Sequence, residues 1–141
     1  MDIANLIGSG LFTQEEAERW RRILFSQIGY GETDIVQVAT GPGTKLEVAF
    51  AFQPIHVETA PGPNGADFKL SDHLCDISHL ASSYAEIIIA SGDGHFVEWV
   101  RKLTEAGLRV TVVTGIGKLN GGFDDLPVTH VDLKEGWEIV S

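Results

Sequence analysis

Residues 86–90 and 108–113 are two short runs that are almost wholly apolar, and between them residues 96–105 carry a helical pattern. This unit constrains the fold more than any other feature of the chain. A strand apolar on both faces must be covered on both faces, which is the condition of a parallel strand inside an α/β domain. Gly107 stands at the C′ position expected after the helix, and Ser91-Gly92-Asp93-Gly94 forms a tight turn before it. The crossover joining such strands is almost always right-handed. The pattern predicts an α/β fold, a three-layer α/β/α sandwich with a mainly parallel central sheet, in a single domain spanning residues 1–141.

The rest of the chain supplies the other layers. Thr13 and Glu16 form a capping box, and Ala17, Trp20, Ile23, Leu24 and Ile28 then recur at helical spacing, which predicts a helix over 13–28. Residues 34–39 are short and β-branched before Gly41-Pro42-Gly43 and read as a strand. Residues 45–52 fit either period and are assigned to helix. Residues 55–59 alternate as a strand, and the loop 60–65 follows, rich in proline and glycine. Leu70, Leu74, Ile77 and Leu80 place one apolar stripe on a helix running from Asp67. Residues 128–133 give a last strand, and the glycine-rich 115–125 reads as a mobile or substrate-facing loop.

Charge narrows the function. Ten Lys and Arg oppose twenty Asp and Glu, a net charge of -10, so no broad attraction toward nucleic acid or anionic lipid exists. The single cysteine, Cys75, permits no internal disulfide, which points to a cytoplasmic location. It is expected to be a small buried hydrophobe. The longest apolar run, Ile87-Ile88-Ile89-Ala90, is far below the roughly 18 residues that span a bilayer, and the chain opens without a basic stretch preceding an apolar one. No membrane or export signal is expected.

In an open parallel sheet, functional side chains gather beyond the carboxyl ends of the strands. Asp93 follows the most apolar strand, Asp67 follows the loop after residues 55–59, and Asp2 and Asn5 lie before the first predicted helix. Each has an ordinary explanation. Asp93 suits a turn or helix cap, Asp67 the positive end of a helix dipole, and Asp2 and Asn5 a frayed terminus. Together, three acids on one sheet edge suggest a hard divalent cation such as Mg²⁺ or Mn²⁺ and phosphodiester cleavage by metal-activated water. A dinucleotide site is disfavoured, since no Gly-x-Gly-x-x-Gly turn follows a first strand.

Three blocks carry a resemblance: Asp2-Ile3-Ala4-Asn5; Gly65-Ala66-Asp67-Phe68-Lys69-Leu70; and Ile87 through Phe96 with its Ser91-Gly92-Asp93 core, followed by Ala106-Gly107-Leu108-Arg109-Val110. In these the chain looks like an NYN domain of the PIN-like nuclease superfamily, over nearly its whole length. The resemblance implies a Rossmann-like sandwich and metal-dependent cleavage of RNA, in single strands or loops. It carries the family's acids onto Asp2, Asp67 and Asp93, which would hold the metal, and its asparagine onto Asn5. Ser91 would position the turn or the metal's water.

Two departures accompany it. Many relatives carry a further acid two residues after the Ser-Gly-Asp acid, where this chain has His95, which could bind metal or phosphate instead. Asp72 lies on the wrong helical face to replace that acid. The family's first strand should precede Asp2, and only Met1 stands there, so either the chain has been trimmed or this member lacks that strand. A missing central strand would expose the edges of its neighbours and invite homodimerisation or strand exchange. The rival expectation is a PIN-like module without catalysis that binds RNA or assembles with protein. Structural or surface roles are expected for His56, His73, His79 and His130, and a solvated face for Arg101 and Lys102.

Overall fold

The computed structural model describes residues 1–29, 31, 34–62 and 64–134. Pro63 of the 60–65 loop and residues 135–141 of the expected domain range lie outside them. The elements are α1 (Ile3–Ile7), α2 (Gln14–Ile28), β1 (Val38–Thr40), α3 (Lys45–Ala51), β2 (Val57–Thr59), α4 (Gly65–Asp72), α5 (Ile77–Ser83), β3 (Glu86–Ile89), α6 (Val97–Glu105), β4 (Arg109–Thr114) and β5 (Thr129–Asp132).

Every strand pairing is parallel. β1 pairs with β2 through Val38 and Val57, β3 with β4 through Glu86 and Arg109, and β4 with β5 through Thr111 and Thr129. Two residues join these two half-sheets. The Asp2 amide donates to the Ala90 carbonyl at 3.1 Å, the Ala39 amide donates to the Met1 carbonyl at 3.0 Å, and Asp2 forms a parallel bridge with Ala39. The order in space is therefore β2, β1, Met1-Asp2, β3, β4, β5.

Alternation along the strands divides the core into two layers, as a pleated sheet requires. Val38, Ala90 and Val113 pack on the side of α1, α2 and α3, with Ile3, Leu6, Trp20, Leu24, Val48 and Phe52. Ala39, Ile89, Val110 and Val112 pack on the other side, with Leu70 of α4, Val100 and Leu103 of α6, and Phe96. The chain is thus an α/β sandwich, as the apolar strands of the βαβ unit require.

Several boundaries depart from the sequence pattern. Residues 34–37 are not strand, because pairing with β2 begins only at Val38. They form one wall of a slot of about 810 Å³ whose other wall is β3, below the short Met1-Asp2 segment. Asp2 and Asn5 do not precede the first helix: Asp2 caps α1, and its side chain accepts from the Asn5 amide. The stripe from Asp67 to Leu80 is two helices, since α4 ends at Asp72 and Asp76 caps α5 by accepting from the His79 amide. Cys75 falls in this break and is exposed, which corrects its expected burial. The predicted helix over 96–105 begins with a 3-10 turn, Gly94–Phe96, and becomes α-helical at Val97.

The 115–125 segment packs against α1 and the turn after β3. The Ile116 amide donates to the Leu6 carbonyl at 2.8 Å, Phe123 is buried, and a Cβ on Gly117 would meet the Asn5 carbonyl oxygen at 2.1 Å. Its glycines permit backbone to lie on backbone. The expected helix over 45–52 is present as α3 and that over 13–28 as α2, with its capping box.

The slot makes the two neighbouring strands unequal in stability. Val112 of β4 is fully buried, whereas Ile88 of β3 is 36% exposed at the slot. Val112→Ala should cost about 2 kcal/mol through lost burial and a residual cavity. Ile88→Thr should cost less than about 1 kcal/mol. Urea unfolding midpoints at unchanged slope measure both.

Candidate active site

The three acids singled out in the sequence are brought together at the carboxyl edge of the sheet. Asp2 sits on the segment between the half-sheets, Asp67 in the first turn of α4 after β2, and Asp93 in the turn after β3. Asp2 and Asp67 are buried, unusual for carboxylates. The Asp67 carboxyl is pushed up to about 7, first by burial, then by the charge of Asp2 and a hydrogen bond shared with it, and then by the charge of Asp93. Crowded carboxylates in a site of low polarity raise one another in this way.

A hydrogen-bonded frame holds the acids. Ser91 Oγ donates to Asp2 Oδ2 at 3.1 Å and accepts from the Asp93 amide at 3.2 Å, so one hydroxyl links two of the acids. Asn5 Oδ1 accepts from the Gly92 amide at 2.8 Å, which fixes the turn against α1. The Gly92 carbonyl in turn accepts from the Asn120 amide at 2.8 Å. A Cβ on Gly92 would lie 2.5 Å from the Lys118 carbonyl oxygen, so the packing here requires glycine. Asp93 does cap the 3-10 turn, with Oδ1 accepting from the His95 amide at 2.8 Å, and its cap role and its place in the acidic group coexist.

His95 is anchored rather than loose. Ser71 Oγ donates to the Asp67 carbonyl at 2.8 Å and lies 2.6 Å from His95 Nε2. A serine hydroxyl has one proton, so Nε2 carries the proton of this second bond. Among the described residues Nδ1 has no hydrogen-bond partner. Neither Ser71 nor Asn120 was prominent in the sequence pattern. Ser71 lies four residues after Asp67, hence on the same helical face, and that spacing was its available signal. Nothing local marks Asn120, whose role depends on the return of the 115–125 segment.

The remaining candidates lie elsewhere. His73 pairs with Glu58, His130 with Thr114, and Asp72 is exposed. Arg101 pairs with Glu98, and Lys102 lies over the Trp99 ring at 4.9 Å. Among the described residues no group of three or more His, Cys, Asp or Glu side chains is arranged to hold a metal ion, so the three acids interact without forming a closed cage. Their donor atoms are all oxygens, which suits a hard divalent cation, and the buried crowding at Asp67 is charge that such a cation relieves.

A parallel α/β sandwich with buried acids gathered at its carboxyl edge defines a Rossmann-like domain. The family model for the NYN domain matches residues 2–120, and the chain belongs to this family of PIN-like α/β nuclease domains. Neither a curated protein nor a solved structure matches the chain. PIN-like nucleases use divalent metals, and no described helix is long and apolar enough to cross a membrane.

The raised Asp67 carboxyl sets a pH dependence. Its pKa is about 7 in the fold against 3.8 unfolded, so the folded state holds the extra proton between those values and loses stability as pH rises through them. In chelator, Asp67→Asn should therefore gain in Tm relative to wild type from pH 4 to pH 7, with the gap levelling off above it. Thermal melts across that range check the sign, and a constant gap would show that Asp67 ionises normally.

Proposed function

We propose that this NYN domain is a metal-dependent ribonuclease that hydrolyses phosphodiester bonds at the acidic edge, with Asp2, Asp67 and Asp93 as ligands of Mg²⁺ or Mn²⁺. The observation that carries the reading is Asp67, a buried carboxyl pushed up by burial and by two other acids in a domain of a nuclease family. A divalent cation bound there supplies a water of lowered pKa and offsets charge on the phosphate. The chain's own residues do the positioning. Ser91 orients Asp2 and the Asp93 amide together, and Asn5 keeps the Gly92 turn against α1. His95, with its Nε2 proton engaged by Ser71, keeps Nδ1 to accept a proton or, once protonated, to face a phosphate.

A second reading, a PIN-like RNA-binding or assembly module without catalysis, is favoured by His95, which stands where many relatives carry a further acid, and by the net charge of -10. One experiment separates the two. Single-stranded and structured RNAs incubated with the protein should be cut in Mn²⁺ and left intact in chelator, and Asp93→Asn should lower the rate by about 100-fold or more, the scale for losing one electrostatic contributor. Mn²⁺ at a hundredfold excess over its Kd should stabilise wild type by about 2.7 kcal/mol, and the variant far less. Equal manganese shifts in both, with no cleavage by wild type, would leave the non-catalytic module.

A further inference from the structure

Beside the acidic edge, three rings run outward from the core. Phe96 is buried, the His95 ring meets it edge-on with centroids 5.3 Å apart at 87°, and Phe68 meets His95 with centroids 5.3 Å apart at 80°. Phe68 is 60% exposed and directly follows Asp67 on α4, and His95 lies two residues beyond Asp93. The middle ring is held by its bond to Ser71, so the outer ring rests on an anchored support. Isolated exposed hydrophobics are common. Phe50 on α3, 53% exposed, is one with no place at the acidic edge.

We infer that Phe68 is a stacking platform for an unpaired nucleobase of the RNA. The inference rests on the ribonuclease reading and names a side chain that grips its substrate. With a net charge of -10, the chain cannot hold a polyanion by a broad basic surface. The grip must come from contacts indifferent to that charge, and a base stacked on an aromatic ring is the strongest of these. A duplex hides its base faces within its own stack, so the platform discriminates against it. The Phe68 ring packs on His95, whose amide donates to Asp93 Oδ1, so a base on the ring lies beside the acidic group.

Binding is the direct test, in the Asp93→Asn background so that the RNA survives. The probe is a ten-nucleotide single strand carrying 2-aminopurine, whose fluorescence falls on stacking, beside a ten-base-pair duplex. Phe68→Ala should weaken the single strand about tenfold and abolish the quenching. Phe68→Trp should retain both, and Phe50→Ala should change neither. Duplex affinity should be equal throughout. Single-strand affinity unchanged in Phe68→Ala, full affinity in Phe68→Leu, or an equal loss on duplex would each overturn the inference. Because Phe68 is exposed, the variant's melt should match its parent. Cleavage by wild type with unaltered Phe68→Ala binding removes the platform and leaves the nuclease; base stacking without any manganese-dependent cleavage keeps the platform and removes the nuclease.

Discussion

The fold and the site both depend on Asp2. Its amide donates to the Ala90 carbonyl on one side, and on the other it lies opposite Ala39, whose amide donates to the carbonyl of the preceding Met1. Its carboxylate caps α1, accepts from Ser91 and shares a hydrogen bond with Asp67. Few residues serve as sheet connector, helix cap and site acid at once. Burial makes these contacts consequential, because an acid removed from water must be satisfied by specific partners. The partners recruited are the other elements of the site.

The acidic edge is electrostatically tense by construction. Asp67 responds to that tension by holding its proton far above the usual carboxylate range, a perturbation of the kind that gathers at functional sites. The frame of Ser91, Asn5, Asn120 and Ser71 keeps the acids from relaxing apart into solvent. The isolated side chains resist this proximity, and the surrounding hydrogen bonds and core packing supply it.

What could be read from the sequence follows from how local each signal is. The βαβ unit was legible because β3, α6 and β4 each announce themselves by apolar period and by Gly107. The capping box of α2 is likewise contained within four residues. Asp93 and Asp67 could be placed on one edge because parallel topology puts strand ends there. The break between α4 and α5 was not legible, since Leu70, Leu74, Ile77 and Leu80 keep helical spacing across it while Asp76 restarts the chain. Residues 34–37 look like strand but lack a continuous neighbour, and a strand needs partners that its own sequence cannot provide. The close packing of the 115–125 segment was hidden for a related reason: glycine marks both mobility and close approach, and the Asn5 and Leu6 backbones it meets are distant in sequence.

The slot beside Met1 and Asp2 has a mechanical consequence. Asp67 follows the β1-β2 half and Asp93 the β3-β4-β5 half, with Asp2 on the narrow seam between. A continuous sheet would spread shear over a full ladder of hydrogen bonds, but here the Asp2–Ala90 and Met1–Ala39 bonds and the helical layers bear it. The spacing of Asp67 from Asp93 is therefore set across that seam, where Asp2 touches both halves.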